Sequence, residues 1–174
     1  MSTLKSMVLT NDRTLYEKIN HSMKFKWFAN FMRFITHFGD TETAVFSILV
    51  ALILEHIFYI PVGQYALLTL VVAQVIVQLT KRLVNRPRPY HYGDIIKVMQ
   101  PPECQYSFPS GHTACAFALA LSIGNILPFL SGVLLVIAVL VGFSRVALGF
   151  HYPTDVLIGT FIAYAAHSIA QNLL

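Results

Sequence analysis

The chemistry in this chain is concentrated in three short stretches: KRLVNRPRP at residues 81–89, PSGH at 109–112 and SRVALGFHYPTD at 144–155. Together they offer Lys81, Arg88 and Arg145 as cations, His112 and His151 as imidazoles, and Asp155 as a carboxylate. A guanidinium binds two phosphate oxygens at once, and an ammonium adds a compact charge. One imidazole can attack phosphorus while another hands a proton to the leaving oxygen. That set is what metal-free hydrolysis of a phosphate ester requires.

Pro87 and Pro89 stiffen the first stretch and disfavour helix there, so Arg88 can be aimed. Taken alone, the same cations read as a juxtamembrane cluster that anchors to headgroups, and Arg82 and Arg86 are assigned to that role. In the second stretch Ser110 suits a helix N-cap, with Gly111 and His112 in the first turn. Unpaired N–H groups and the positive end of the helix dipole then face any anion lying there. Gly111 permits close approach and the Ser110 hydroxyl can donate as well, although Ser110 alone also reads as a plain cap. In the third stretch Pro153 suits the first helical position and brings Asp155 within reach of His151. A carboxylate that accepts the Nδ1 proton would fix the tautomer and leave Nε2 free to attack. The same pair, taken alone, also fits a metal pair or an ordinary cap.

The elements that must position these groups follow from composition. The 174 residues are 56% hydrophobic and only 11% charged, with a mean hydropathy of +0.63, far from a soluble composition and typical of a membrane protein in a single domain. No Asp, Glu, Lys or Arg lies between Glu55 and Lys81, between Glu103 and Arg145, or after Asp155. A span needs about 20 apolar residues, which predicts helices over 43–60, 64–84, 111–126, 129–148 and 153–172. Pro61 and Pro128 interrupt the apolar runs at hairpin turns. The expected fold is all-α, a polytopic transmembrane bundle in which 43–174 is the catalytic part and 1–42 an N-terminal interfacial region. Every reactive stretch then falls at one end of that bundle.

Residues 1–23 are polar and mixed in charge, and they lack the pattern of a secretory signal. Over 24–38 aromatics recur at three- and four-residue spacing with Trp27 and three cations between them, which predicts an amphipathic helix in the headgroup layer. A sixth span is the alternative, at a cost of a few kcal/mol for Arg33 near its middle. A net charge of +4 would raise nucleic acid as a partner in a soluble protein. Here the five-span topology puts all twelve Lys and Arg residues on one side, facing anionic headgroups and an anionic substrate. Cys104 and Cys115 form neither a disulfide framework nor a metal quartet, and no function is assigned to them. The 85–108 loop is expected either to cover the site or simply to connect.

Taken together, the stretches resemble the type 2 phosphatidic acid phosphatase superfamily, whose pattern is Lys-x6-Arg-Pro, Pro-Ser-Gly-His and Ser-Arg-x5-His-x3-Asp. Every position of that pattern is matched between Lys81 and Asp155. The resemblance implies a lipid phosphate phosphatase working without cofactor or metal. It implies His151 as a nucleophile that forms a phosphohistidine, Asp155 as its orienting partner, and His112 as the general acid. Lys81, Arg88, Ser110, Gly111 and Arg145 would form the phosphate cradle, and the role of Ser144 is left open. Undecaprenyl diphosphate, phosphatidylglycerol phosphate and phosphatidic acid all fit as substrates. Bacterial relatives place the site on the outer face of the cytoplasmic membrane, whereas the absence of Lys and Arg from the opposite turns argues for the reverse. A small transporter and a silent lipid-phosphate-binding protein are the competing classes. The sequence leaves the oligomeric state open.

Overall fold

The computed structural model describes residues 2–91 and 104–174, with side chains from residue 7 onward. Among the described residues seven helices follow in order: α1 (Ser2–His21), α2 (Lys26–Thr36), α3 (Thr41–Phe58), α4 (Val62–Val84), α5 (Gly111–Ile126), α6 (Pro128–Ala147) and α7 (Pro153–Leu173). Single 3-10 turns join α1 to α2 and α2 to α3, and a third covers Pro89–His91. The part of the expected covering loop that carries Tyr92, Pro101 and Pro102 lies outside the described residues.

All five apolar segments expected as spans are helices with nearly the expected limits. Helices α3, α4, α6 and α7 are long and apolar enough to cross a membrane, while α5 has 16 residues. At about 1.5 Å per residue α5 rises about 24 Å, short of a hydrocarbon core of about 30 Å. Its neighbours enclose it, which suits a short helix. Ala114 and Ala118 of α5, Ala73 of α4 and Ala163 and Ala166 of α7 are buried in one core, and Ala120 of α5 is buried in another with Ala138 of α6. Small residues let helix backbones approach where lipid leaves no hydrophobic drive for helices to pair. The bulky side chains point outward instead, among them Phe46, Leu49, Val75, Val136 and Phe161.

The hairpin turns expected at Pro61 and Pro128 are present. Tyr59 closes α3 in the left-handed region at φ 58°, and Pro128 opens α6 in its first turn. The alternation places the C-terminal ends of α4 and α6 beside the N-terminal ends of α3, α5 and α7. The three reactive stretches sit at those ends.

The N-terminal region differs from expectation. Residues 2–21 form α1, where the sequence suggested only a polar segment. One face of α1 carries Asp12, Tyr16 and Asn20 at four-residue spacing, and all three are buried. Asn20 Nδ2 donates to the Ala147 carbonyl at 2.8 Å, and the Tyr16 ring meets that of Tyr152 edge to face. The residues that dock this helix are polar, so no apolar period announces it. The expected amphipathic helix appears as α2, with Ala29, Met32 and Ile35 packed inward and Trp27, Phe31 and Phe34 exposed.

Candidate active site

Asn85 ends α4 in the left-handed conformation, φ 50° and ψ 36°, which asparagine tolerates better than most residues. Its N–H closes on the Lys81 carbonyl, and the chain then turns back through Arg86-Pro-Arg-Pro. Six residues of separation thereby bring Lys81 and Arg88 to one cavity of about 410 Å³. Gly111, His112, Arg145 and His151 line the same cavity. Its wall continues over Ala44, Val45, Leu70 and Cys115, with Gln74 and Gln78 between the charged and apolar parts. Of the expected site residues, Ser110 and Asp155 lie behind this wall rather than in it.

The charges in the cavity are unbalanced. Lys81, Arg88 and Arg145 are 7%, 2% and 3% exposed, and no carboxylate lines the cavity among the described residues. Arg88 Nε donates to the Cys104 carbonyl at 2.8 Å and Nη1 to the Phe150 carbonyl at 3.1 Å. Arg145 Nη1 donates to Thr36 Oγ1 at 2.7 Å, and its Nε is buried without a hydrogen-bond partner. Burying like charges together is costly unless an anion joins them.

His151 is almost fully buried, and its tautomer is forced. Nδ1 lies 2.6 Å from the Ser107 carbonyl oxygen, which can only accept, so Nδ1 carries the proton. Burial, followed by the charges of Arg88 and Arg145, pushes the ring well below its usual pKa. The imidazole is therefore neutral, and the Nε2 lone pair points at Arg88 Nη1, 3.3 Å away. The expectation that Asp155 accepts the Nδ1 proton meets a different geometry: Asp155 Oδ2 is 3.7 Å from Nδ1. That oxygen instead accepts the Tyr152 N–H at 2.9 Å. The other, Oδ1, accepts from Arg86 Nη1 at 2.7 Å. A backbone carbonyl has taken the place that a carboxylate was expected to fill.

Arg86 was assigned to the headgroups and is instead partly buried, between two buried carboxylates. Its Nη2 donates to Asp12 Oδ2 of α1 at 2.6 Å, and its guanidinium lies 4.0 Å from the centre of the Tyr152 ring. Asp12 also accepts from the Thr154 N–H at 3.0 Å and from the Thr154 hydroxyl.

His112 has a carboxylate partner that the motifs do not contain. Its Nε2 is 2.7 Å from Asp40 Oδ1, and Asp40 Oδ2 is 2.7 Å from His37 Nδ1. Asp40 is also the residue preceding α3. Burial alone would raise this carboxyl, but the hydrogen bonds from His112 and His37 and their charge outweigh it and hold its pKa at about 2 rather than 3.8. A depressed carboxyl stabilises the fold fully above its unfolded value and loses that contribution as pH falls through the folded one. Asp40→Asn is therefore expected to flatten the fall of the melting temperature in detergent between about pH 4 and pH 2. An unchanged acid slope would show that the network contributes nothing.

Ser110 caps α5 as expected, its Oγ accepting from the Thr113 N–H at 3.4 Å and paired with the Thr113 hydroxyl at 2.8 Å. The hydroxyl is thus turned into the cap and away from the cavity. The Ser110 N–H donates to the Asp155 carbonyl at 3.0 Å, which ties the second stretch to the third. Gly159 of α7 makes this approach possible, since a Cβ there would lie 2.6 Å from the Ser110 carbonyl oxygen. Gly159→Ala is expected to displace the cap, to destabilise the fold by about 1–3 kcal/mol and to lower activity with it. Thermal unfolding and turnover measured on the same sample test this. Among the described residues, no three His, Cys, Asp or Glu side chains converge to hold a metal ion.

The chain is 37% identical over 102 residues to decaprenylphosphoryl-5-phosphoribose phosphatase of Mycobacterium tuberculosis, covering 59% of this chain and 55% of that protein. It thus spans about half the length of that relative. It is 34% identical over 146 residues to phosphatidylglycerophosphatase B of Bacillus subtilis, covering 76% of this chain and 68% of that protein. The crystal structure of a transmembrane PAP2 type phosphatidylglycerolphosphate phosphatase from Bacillus subtilis superposes with a TM-score of 0.80 at 27% identity, over 96% of this chain and 86% of that one. The apolar helices and this transmembrane relative make the chain a multi-pass membrane protein. The pattern that defines the PAP2 superfamily matches residues 63–173, and the chain belongs to that family.

Proposed function

We propose that this protein hydrolyses the phosphate of a membrane lipid through a phosphohistidine intermediate. The observation that carries the proposal is the cavity itself: three buried cations and a neutral imidazole lone pair surround one space that no described carboxylate enters. Lys81, Arg88 and Arg145 hold the three equatorial oxygens, where negative charge spreads in a loose transition state. The N–H groups of the first turn of α5, at Gly111 and His112, add to that field. Nε2 of His151 forms the bond to phosphorus as the bond to the lipid oxygen breaks. His112 gives its proton to that oxygen, and Asp40 holds the ring while it does so. Water then attacks the phosphohistidine with His112 as base, releasing inorganic phosphate and restoring both rings. Ser110 acts by capping α5, and Asp155 by holding the backbone next to His151.

The apolar part of the cavity wall lets the lipid keep its chains in hydrocarbon while the phosphate reaches the cations. The relatives named above act, by their names, on a decaprenyl phosphoribose and on phosphatidylglycerol phosphate. The substrates proposed here are undecaprenyl diphosphate, phosphatidylglycerol phosphate and phosphatidic acid. The site is assigned to the outer face of the cytoplasmic membrane, with the exposed aromatics of α2 in the headgroup layer. Phosphate release from each lipid, measured with and without chelator, tests the reading. Release that depends strongly on a divalent metal, or none from any lipid, would overturn it. A membrane-impermeant thiol reagent applied to a single cysteine placed in the turn at 59–61 tests the sidedness.

A further inference from the structure

The geometry points to Arg86 and Asp12 as positioning residues of the reaction, with α1 as the clamp that holds the nucleophile's loop. The inference rests on the phosphohistidine reading, and it concerns groups that the motif pattern does not contain.

Two buried carboxylates and the partly buried guanidinium between them form a line leading away from the cavity. Asp155, at the N-terminus of α7, is fully buried. It accepts the Tyr152 N–H on one oxygen and Arg86 on the other, at 2.9 and 2.7 Å. The guanidinium of Arg86, whose side chain is 15% exposed, bridges Asp155 to Asp12, whose side chain is 1% exposed. Asp12 closes the circuit by accepting from both the backbone and the hydroxyl of Thr154. One cation thus serves two carboxylates, and each carboxylate is also bound to the backbone of residues 152–154. That backbone segment directly follows His151.

The opposite side of His151 is held by the Ser107 carbonyl, and Ser107 is in turn bound to the main chain of Arg86 and Pro87. Its N–H donates to the Arg86 carbonyl at 2.8 Å, and its hydroxyl to the Pro87 carbonyl at 3.2 Å. Arg86 thus meets both flanks of the nucleophile, its side chain the segment that follows His151 and its main-chain carbonyl the segment that fixes the tautomer. None of Arg86, Asp12 or Thr154 lines the cavity, so none touches the phosphate. Stability alone is a weak explanation for this triad, because a buried ion network is seldom better than apolar residues of the same volume. Aiming a lone pair is a stricter requirement, since a displacement of about 1 Å at the reacting atom can cost about 10²-fold in rate.

The test separates ground-state anion binding from attack. Inorganic phosphate needs only the cations, whereas orthovanadate expands to five-coordination by bonding to Nε2 and so reports where that atom lies. For Arg86→Gln, kcat is expected to fall about 10²-fold with KM changed by less than about threefold. Vanadate inhibition should weaken by a similar factor while phosphate inhibition stays nearly constant. Arg86→Lys, which can serve one carboxylate at a time, and Asp12→Asn, nearly isosteric, should each give about a tenfold loss with the same split between the two anions. These two milder variants carry the test if the glutamine variant does not fold. Parallel weakening of both anions, or full activity in Arg86→Lys and Asp12→Asn, would overturn the inference. Failure of the wild-type protein to release phosphate or to bind vanadate would instead overturn the phosphohistidine reading beneath it.

Discussion

Replacing His151 with alanine is expected to reduce phosphate release by about 10⁴-fold or more, the scale of losing an enzymatic nucleophile. The magnitude follows from how completely the ring is specified. Its Nδ1 proton is fixed on the Ser107 carbonyl, burial and neighbouring cations keep it neutral, and Nε2 faces Arg88 in the cavity. No other described side chain in the cavity is an uncharged imidazole held this way. Binding should survive, because Lys81, Arg88 and Arg145 stay in place, and a lipid phosphate should still protect the variant against thermal unfolding. Alkaline quench of the wild-type protein during turnover, under which a phosphorus–nitrogen bond survives, should trap label from a radioactive phosphate lipid, and His151→Ala should trap none. Retention of a tenth of the activity would move the nucleophile elsewhere.

Arg145 carries the second large effect. Arg145→Gln is expected to lower kcat about 10²- to 10³-fold, as removal of a donor aimed at developing charge does elsewhere. Arg145→Lys should recover little of it. The guanidinium is held between the Thr36 hydroxyl at 2.7 Å and the face of the Phe150 ring, 4.5 Å from its centre, and a lysine can satisfy only one of these while losing the planar fork. The Arg145 Nε is buried without a hydrogen-bond partner. Thr36→Val should cause a smaller loss in the same direction, since it leaves the charge but frees its far end. Rates for Arg145→Lys within about fivefold of wild type would mean that charge alone suffices there and that the fork is not on the phosphate.

The sequence was most informative where apolar runs and motifs coincide. Lipid solvent makes every span a long uncharged run, so the limits of α3 to α7 could be read within a few residues. The eight motif residues follow from a pattern, and the structure places six of them, Lys81, Arg88, Gly111, His112, Arg145 and His151, around one cavity. What stayed hidden was the layer behind them. Asp40 lies 72 residues from His112 and Asp12 lies 74 from Arg86, and no spacing links such partners. The one local signal for Asp40 was its position just before a helix start in Gly-Asp-Thr-Glu. Arg86 resembled its exposed neighbour Arg82 because local charge does not report burial. The partner of His151 was misjudged for a related reason: Asp155 is the nearest acceptor in sequence, but the Ser107 carbonyl is nearer in space.

The long reach of α1 has a consequence for biosynthesis. Its anchor Asp12 meets Thr154 across 142 residues, and Asn20 meets Ala147 across 127. Helix α1 therefore finds its seat only when the hairpin of α6 and α7 has been threaded into the bilayer. A nascent chain halted before α7 would already hold all three cavity cations and both imidazoles, but neither the Thr154 that binds Asp12 nor the Asp155 that binds Arg86. Half-made copies would therefore carry the cavity's charges without the network that holds residues 152–154, and α1 would be fully seated only once α7 is inserted.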